Sequence, residues 1–426
     1  MGYLRRQLIN SALVATALKP APTYVTGVPS MFVGWLVTEM SAHFLAATAA
    51  DTGLELARPG GSRMKAALGV ANMAALAYIF RQGGNSQHQF ESALLDTLGE
   101  DYRQTLEETH EDLEWRTPLR QLVWPFRGDT SQIEVVKDIA YAPEHGTRGL
   151  LDVYKPKGDV TGAPVLLQVH GGGWTIGNKD QQGLPLMRHM ASRGWVCVAV
   201  NYRLSPRNAF PAHLVDVKRG IAWIREHGQE YGADPSFIAI TGGSAGGHLT
   251  ALAALTANDP EYQPGFEDAD TSLQAAVPFY GVYDFAGVTG GRATRLMRDR
   301  FLAPMVLFKH PEQDREEFEK ASPILRVRKD APPFYVIHGV NDTLVEVNQA
   351  REFVKALREA SDEPVAYTEL SGTQHAFDVF PSVRSQHSVR GVDRFLRFTY
   401  DKWRGRSTGP ASDWDRDEPL TGPAGR

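Results

Sequence analysis

The 426-residue chain carries 45 Lys and Arg against 50 Asp and Glu, a formal net charge of −5, with 42% hydrophobic and 22% charged residues. That length holds one large domain with an extension, or two domains. The charge balance argues against nucleic-acid binding, since no Lys/Arg-rich run or recognition motif accompanies it, and the single cysteine, Cys197, rules out an intrachain disulfide.

In chain order, the start "MGYLRRQLINSALVATALKP" places two arginines before a moderately apolar stretch, as a signal peptide does. Its Ala15-Thr16-Ala17 falls inside that stretch and not after it, so cleavage is not expected. Gly27 to Ala50 is long enough to span a bilayer but contains Glu39 and His43. Ala66 to Phe80 is free of charge but shorter than the roughly 17–25 residues a spanning helix needs. Arg5, Arg6, Lys19, Arg58, Arg63, Lys65 and Arg81 flank these runs. Two readings follow: a membrane-associated helical hairpin, or helices packed on a catalytic domain as a cap. Membrane association is the expected one, with a cytoplasmic location as the alternative. Glu39 in a lipid-facing helix would be costly without a partner. From Ser86 to Glu114 the pattern is helical and increasingly acidic, as on a solvated helix face.

After Pro125 the rhythm changes. Eight β-rich apolar runs appear: "IEVVKDIAYA", "GLLDVYKP", "PVLLQVHG", "WVCVAVNY", "FIAITG", "AAVPFYG", "PFYVIHG" and "PVAYTELSG". Cys197, inside the fourth, reads as a small core residue. Helical spacing fills most gaps from the third run onward, as in "PAHLVDVKRGIAWIREHG", "EVNQAREFVKALREA" and "VRGVDRFLRFTYDKW". Strands alternating with helices predict an α/β domain with a mostly parallel eight-stranded sheet flanked by helices. With antiparallel candidates at the front, it resembles the outline of an α/β-hydrolase. The expected organisation is a helical N-terminal extension or cap over 1–120, the α/β-hydrolase catalytic domain over 121–404, and a disordered tail over 405–426.

The fifth run ends in "GGSAGG". It fails the dinucleotide pattern G-x-G-x-x-G, and it lacks the lysine of a phosphate loop. It does fit G-x-S-x-G, Gly242 to Gly246, a strand-to-helix turn that exposes the hydroxyl of Ser244. Such a serine needs a base, and the base an orienting acid, in the chain order Ser, Asp/Glu, His. Asp342 follows "PFYVIHG" and His375 follows "PVAYTELSG", so both emerge at the sheet edge that carries Ser244. His375 would take the serine proton while Asp342 fixes the imidazole tautomer. Asp284 in "GVYDF" is the competing acid, whereas Asp378 lies too near His375 in sequence and reads as structural. "VHGGGW", Val169 to Trp174, sits after the third strand, where glycines free backbone N–H groups for a developing oxyanion. Ala245 supplies another donor. His170 is expected to brace this loop, and His248 to pack or cap. No pattern suggests zinc.

Together "HGGGW", "NYRLSPRNAFPAHLVD", "GGSAGG", "HGVND" and "QHAF" resemble the hormone-sensitive-lipase branch of the carboxylesterases over roughly Gln132 to Trp403. The resemblance implies a Ser244–Asp342–His375 triad, oxyanion donors at Gly172, Gly173 and Ala245, no metal or cofactor, and hydrolysis through an acyl-enzyme. Two departures stand out. Arg207 replaces the glutamate of the family's Y-R-L-A-P-E segment, and Gly243 stands where an aspartate often precedes the serine, a change the turn is expected to tolerate. Asp216 resembles a family position and is expected to support loops. The expected substrate is a small-molecule acyl ester or lipid in a hydrophobic pocket, roofed by the N-terminal helices and the insert Gly290 to His310. Oligomeric state is not legible. Two alternatives are an amidase or arylformamidase of the same fold, and a ligand-binding protein that has lost turnover.

Overall fold

The computed structural model describes residues 2–21, 24–109, 124 and 130–408. All eight expected strands form: β1 (Ile133–Ala140), β2 (Leu150–Pro156), β3 (Ala163–Val169), β4 (Val196–Val200), β5 (Ala233–Gly243), β6 (Ala275–Phe279), β7 (Phe334–Gly339) and β8 (Val365–Leu370). They make one sheet in the order β1-β2-β4-β3-β5-β6-β7-β8. β1 pairs antiparallel with β2 and β2 with β4, and every later pairing is parallel. The chain therefore adopts the α/β-hydrolase fold.

The burial of each strand follows from its place in the sheet. β3, β4, β6 and β7 are buried along their whole length, as apolar parallel strands covered on both faces must be, whereas β1 at the edge is mostly half-buried or exposed. Helices α6 (Leu184–Ser192), α7 (Ala212–His227), α8 (Ala245–Leu255), α9 (Arg292–Met297), α10 (Arg315–Lys320), α11 (Val347–Ala360) and α12 (Val383–Thr408) follow in sequence. α11 buries Ala350, Phe353, Val354 and Leu357 at helical spacing, the stripe its sequence encodes. Two cores result, one on each face of the sheet.

Five helices precede the sheet: α1 (Tyr3–Leu18), α2 (Tyr24–Glu39), α3 (Ser41–Ala57), α4 (Arg63–Leu98) and α5 (Tyr102–Thr109). α4, at 36 residues, is about 54 Å long. Its first half packs on α1–α3 through Leu76 and Ile79. Its second half sends Phe90 and Leu94 into the core formed with Val392, Phe395 and Leu396 of α12. The apolar run Gly27 to Ala50 is divided between α2 and α3 at Met40, and no helix among the described residues is long and apolar enough to cross a membrane.

Glu39, the residue that sat awkwardly in a lipid-facing helix, faces protein. Its carboxylate pairs with Arg384 and accepts from Ser382 Oγ at 2.6 Å, with both charged side chains 1% exposed. The end of the acidic stretch beyond residue 109 and the boundary expected at 120/121 lie outside the described residues, as does the chain after Thr408.

Candidate active site

The C-terminal ends of β3, β5, β7 and β8 converge on one edge of the sheet. β5 lies between β3 and β6, with Gly242 opposite Val169 and Gly243 opposite Phe279. The residues that follow β3 and β5 therefore emerge side by side. These are the "HGGGW" loop and Ser244.

Ser244 sits between β5 and α8 at φ 59°, a conformation that costs a non-glycine residue energy and is held here by its surroundings. Its N–H donates to Phe279 O at 3.0 Å, and its carbonyl accepts from His248 N at 3.0 Å. α8 behind it is buried throughout, so the turn rests on solid packing. Ala245 opens α8, and its N–H has no intrahelical acceptor.

In the "HGGGW" loop, Gly172 has φ 114° and Gly173 φ 58°, and a Cβ on Gly172 would lie 2.2 Å from Ile176 O. Gly172 O accepts from the N–H groups of Thr175 and Ile176, both at 3.1 Å. The N–H groups of Gly172 and Gly173 bond to none of the described residues. Three unengaged backbone donors thus stand at positions 172, 173 and 245.

The loop is held from behind by side chains that the sequence does not single out. Gln182 accepts from Gly171 N at 2.8 Å, and Arg148 donates to Gly177 O at 2.8 Å. Lys179 binds Asp152 at 2.7 Å and Asp138 at 2.8 Å through its ammonium. His170 Nδ1 donates to Gly171 O at 2.8 Å, and the ring stacks on Tyr202 with ring centroids 4.2 Å apart. Burial pushes the His170 imidazole down to about 4, which keeps it neutral at pH 7. That arrangement matches the bracing expected of it.

Asp342 and His375 meet as their sequence positions anticipate. His375 Nδ1 lies 2.6 Å from Asp342 Oδ2, both residues being buried. Asp342 Oδ1 accepts from the N–H groups of Leu344 and Val345, each at 2.9 Å. His338 Nε2, on β7, lies 3.3 Å from Asp342 Oδ2 and 2.9 Å from Val345 O. Burial alone would raise the Asp342 pKa. The charge of His375 and the hydrogen bonds from His338 and His375 outweigh that, and hold the carboxyl below the usual range.

No hydrogen bond joins Ser244 to His375 among the described residues. Tyr280 sits against His375 and against Gly243, the residue before Ser244. Its ring centroid lies 4.5 Å from that of His375, and a Cβ on Gly243 would come within 2.6 Å of its hydroxyl. Gly243 is thus more than tolerated: Tyr280 occupies the space a side chain there would need. The Tyr280 hydroxyl donates to Asp378, whose pKa burial raises.

The other singled-out residues have structural partners. Asp284 is saturated by the N–H groups of Gly287, Val288 and Thr289 and by the Thr289 hydroxyl. Asp216 holds Arg203 bidentately at 2.7 and 2.8 Å. His248 bonds Ala321 O at 2.8 Å and accepts from the Trp174 indole at 3.3 Å. Cys197 is buried, and that burial pushes its thiol pKa up.

The surroundings of the site come partly from the N-terminal helices and the insert. Thr343 Oγ1 donates to Gly27 O at 2.8 Å, and Asn341 Nδ2 donates to Ala17 O at 3.2 Å. α2 packs against α9, and Phe301 lies against Gly173. Among the described residues no cluster of His, Cys, Asp and Glu could hold a metal ion.

Comparison with known proteins agrees with this architecture. The BD-FAE family model matches residues 151–357. The probable carboxylic ester hydrolase LipM of Mycobacterium tuberculosis is 43% identical over 96% of this chain and 96% of its own length. Esterase LipQ of the same organism is 44% identical over 75% of this chain and 76% of its own. Among solved structures, esterase 2 of Thermogutta terrifontis, with butyrate bound, superposes with a TM-score of 0.53 at 26% identity, covering 63% of this chain and 95% of that one. With near-complete coverage of a relative at that identity, the chain belongs to the carboxylesterase/lipase family of α/β-hydrolases and is a carboxylic ester hydrolase.

Proposed function

We propose that this carboxylic ester hydrolase works through a Ser244–His375–Asp342 triad and a covalent acyl-enzyme. The observation that carries the reading is the convergence of a serine at φ 59°, an Asp342–His375 pair at 2.6 Å and three unengaged N–H groups at one sheet edge. His375 Nε2 takes the Ser244 proton as Oγ attacks the ester carbonyl, and the resulting oxyanion is met by Gly172, Gly173 and Ala245. Collapse expels the alcohol, which receives the proton from His375. Water then attacks the acyl-serine with His375 again as base, releasing the acid and restoring the hydroxyl. Each oxyanion donor is worth about a hundred- to a thousand-fold in rate. The missing serine–histidine hydrogen bond fits this mechanism, because such bonds often tighten only with substrate in place.

Thermogutta terrifontis esterase 2 has been solved phosphonylated by sarin. A serine-directed phosphonate should likewise add one adduct to the peptide spanning residues 233–255 of this chain, read by mass spectrometry. An adduct elsewhere, or none on active protein, would count against Ser244.

A second reading concerns location. We infer that the N-terminal helices rest on an anionic lipid surface without crossing it. Leu4 and Leu8 on α1, and Val28, Phe32 and Leu36 on α2, are exposed at four-residue steps, so each set forms one apolar stripe. Over residues 2–81, seven Lys and Arg stand against three Asp and Glu, although the whole chain is negative. Arg5, Lys19, Arg58, Arg63, Lys65 and Arg81 have no carboxylate partner among the described residues. Such charges each add about 1 kcal/mol of attraction to an anionic membrane. The full-length protein should float with phosphatidylglycerol vesicles, and Phe32→Asp should weaken that flotation. Equal behaviour of wild type and variant would remove this reading.

A further inference from the structure

A second concavity opens behind the oxyanion loop, outside the triad. It is a cavity of about 490 Å³, and Glu144, His145, Arg148, Thr175, Arg203 and Arg207 contribute to its wall. That size lies within the range of small-molecule sites. The charges in the wall do not cancel. Arg203 is neutralised by Asp216, which it grips through Nε at 2.8 Å and Nη2 at 2.7 Å, and Glu144 is paired with Arg219. His145 Nε2 lies 3.6 Å from Asp216 Oδ1. Two guanidinium groups are left over. Arg148 donates to Gly177 O and has no carboxylate partner among the described residues, and Arg207 has neither a hydrogen bond nor an ion pair there.

Arg207 is also the residue that departs from the family segment, standing as an arginine where a glutamate is usual. The planar guanidinium is suited to bind carboxylate or phosphate oxygens in pairs. We propose that this cleft binds a small anionic group, a carboxylate or a phosphate, seated between Arg148 and Arg207.

The cleft is joined to the catalytic edge through shared residues. Thr175, in its wall, donates to Gly172 O from its N–H at 3.1 Å and from Oγ1 at 3.4 Å. Arg148 grips the same loop at Gly177, and Ser205 N donates to Trp174 O at 2.9 Å. An anion seated there would therefore lie against the loop that presents Gly172 and Gly173. It has two possible sources: a charged group on the substrate itself, or a free anion that binds beside the substrate.

The test separates these sources and does not depend on the triad. In the first arm, kcat/KM is measured for 4-nitrophenyl butyrate and for the 4-nitrophenyl monoester of succinate, which carries a terminal carboxylate. In the second arm, inorganic phosphate is titrated against wild type and Ser244→Ala at constant ionic strength, and Tm is read. If the substrate carries the anion, Arg207→Glu lowers the succinate-to-butyrate ratio by about tenfold or more. If a free anion is the ligand, phosphate raises Tm, also in Ser244→Ala, and Arg207→Glu abolishes the rise. Arg148→Gln should weaken whichever response is seen. The proposal is overturned if the ratio and the phosphate response are both the same in wild type and Arg207→Glu. Loss of the fold is not expected to confuse the result, because Arg207 bonds to nothing among the described residues.

Discussion

Ser244→Ala is expected to lower kcat for 4-nitrophenyl esters by on the order of 10⁴- to 10⁶-fold at every acyl length, with little change in Tm. The size of the loss follows from the absence of a substitute at the site. Cys197 is sealed in β4 with its thiol pKa pushed up by burial, so it offers no thiolate. Alanine at φ 59° carries much the same backbone strain as serine, so the turn should keep its shape. The oxyanion donors would remain and leave a small residual rate. A chain-length series on wild type and variant measures both the loss and the acyl preference, and activity that survives undiminished would sink the mechanism.

Asp342→Asn should cost about 10⁴-fold in kcat, because an amide cannot stabilise the imidazolium that forms on His375. A separate signature should appear in stability against pH. The folded Asp342 pKa is held below its unfolded value of about 3.9. The unfolded chain therefore binds more protons than the folded one between those two values, and stability rises with pH there. Its contribution is fully present above about pH 4 and is lost as the pH falls through the folded value. Urea unfolding between pH 3 and 7 should show the gap between wild type and Asp342→Asn constant at the upper end and narrowing at the lower end. A gap that widens towards acid would mean that the carboxylate is not held in its charged form by folding.

The strand pattern and the positions of Ser244, Asp342 and His375 were legible because each is local. A strand announces itself by its run of β-branched residues, and each of the three residues follows such a run directly. What the sequence does not show are contacts hidden inside a strand's apolar run or made between distant positions. His338 stands inside "PFYVIHG", where it reads as one more strand residue, and only the turn of the chain brings it 3.3 Å from Asp342. Tyr280 lies in an apolar run and shows its importance only where it fills the space beside Gly243. The Lys179 clamp joins residues 41 positions apart. No periodicity encodes such a pairing.

Glu39 is the sharpest instance, since its partner Arg384 lies 345 positions later. That pairing decides how the protein can be dissected. A fragment beginning at Ser86 would discard the carboxylate that neutralises Arg384 together with Ser41, His43 and Phe80, which stand around it, and so would open that part of the core to water. It would also strip the partners of Asn341 and Thr343, on either side of Asp342. Such a fragment would report on its own unfolding and could not separate lipid affinity from foldedness. The N-terminal helices are therefore to be studied in place, one side chain at a time.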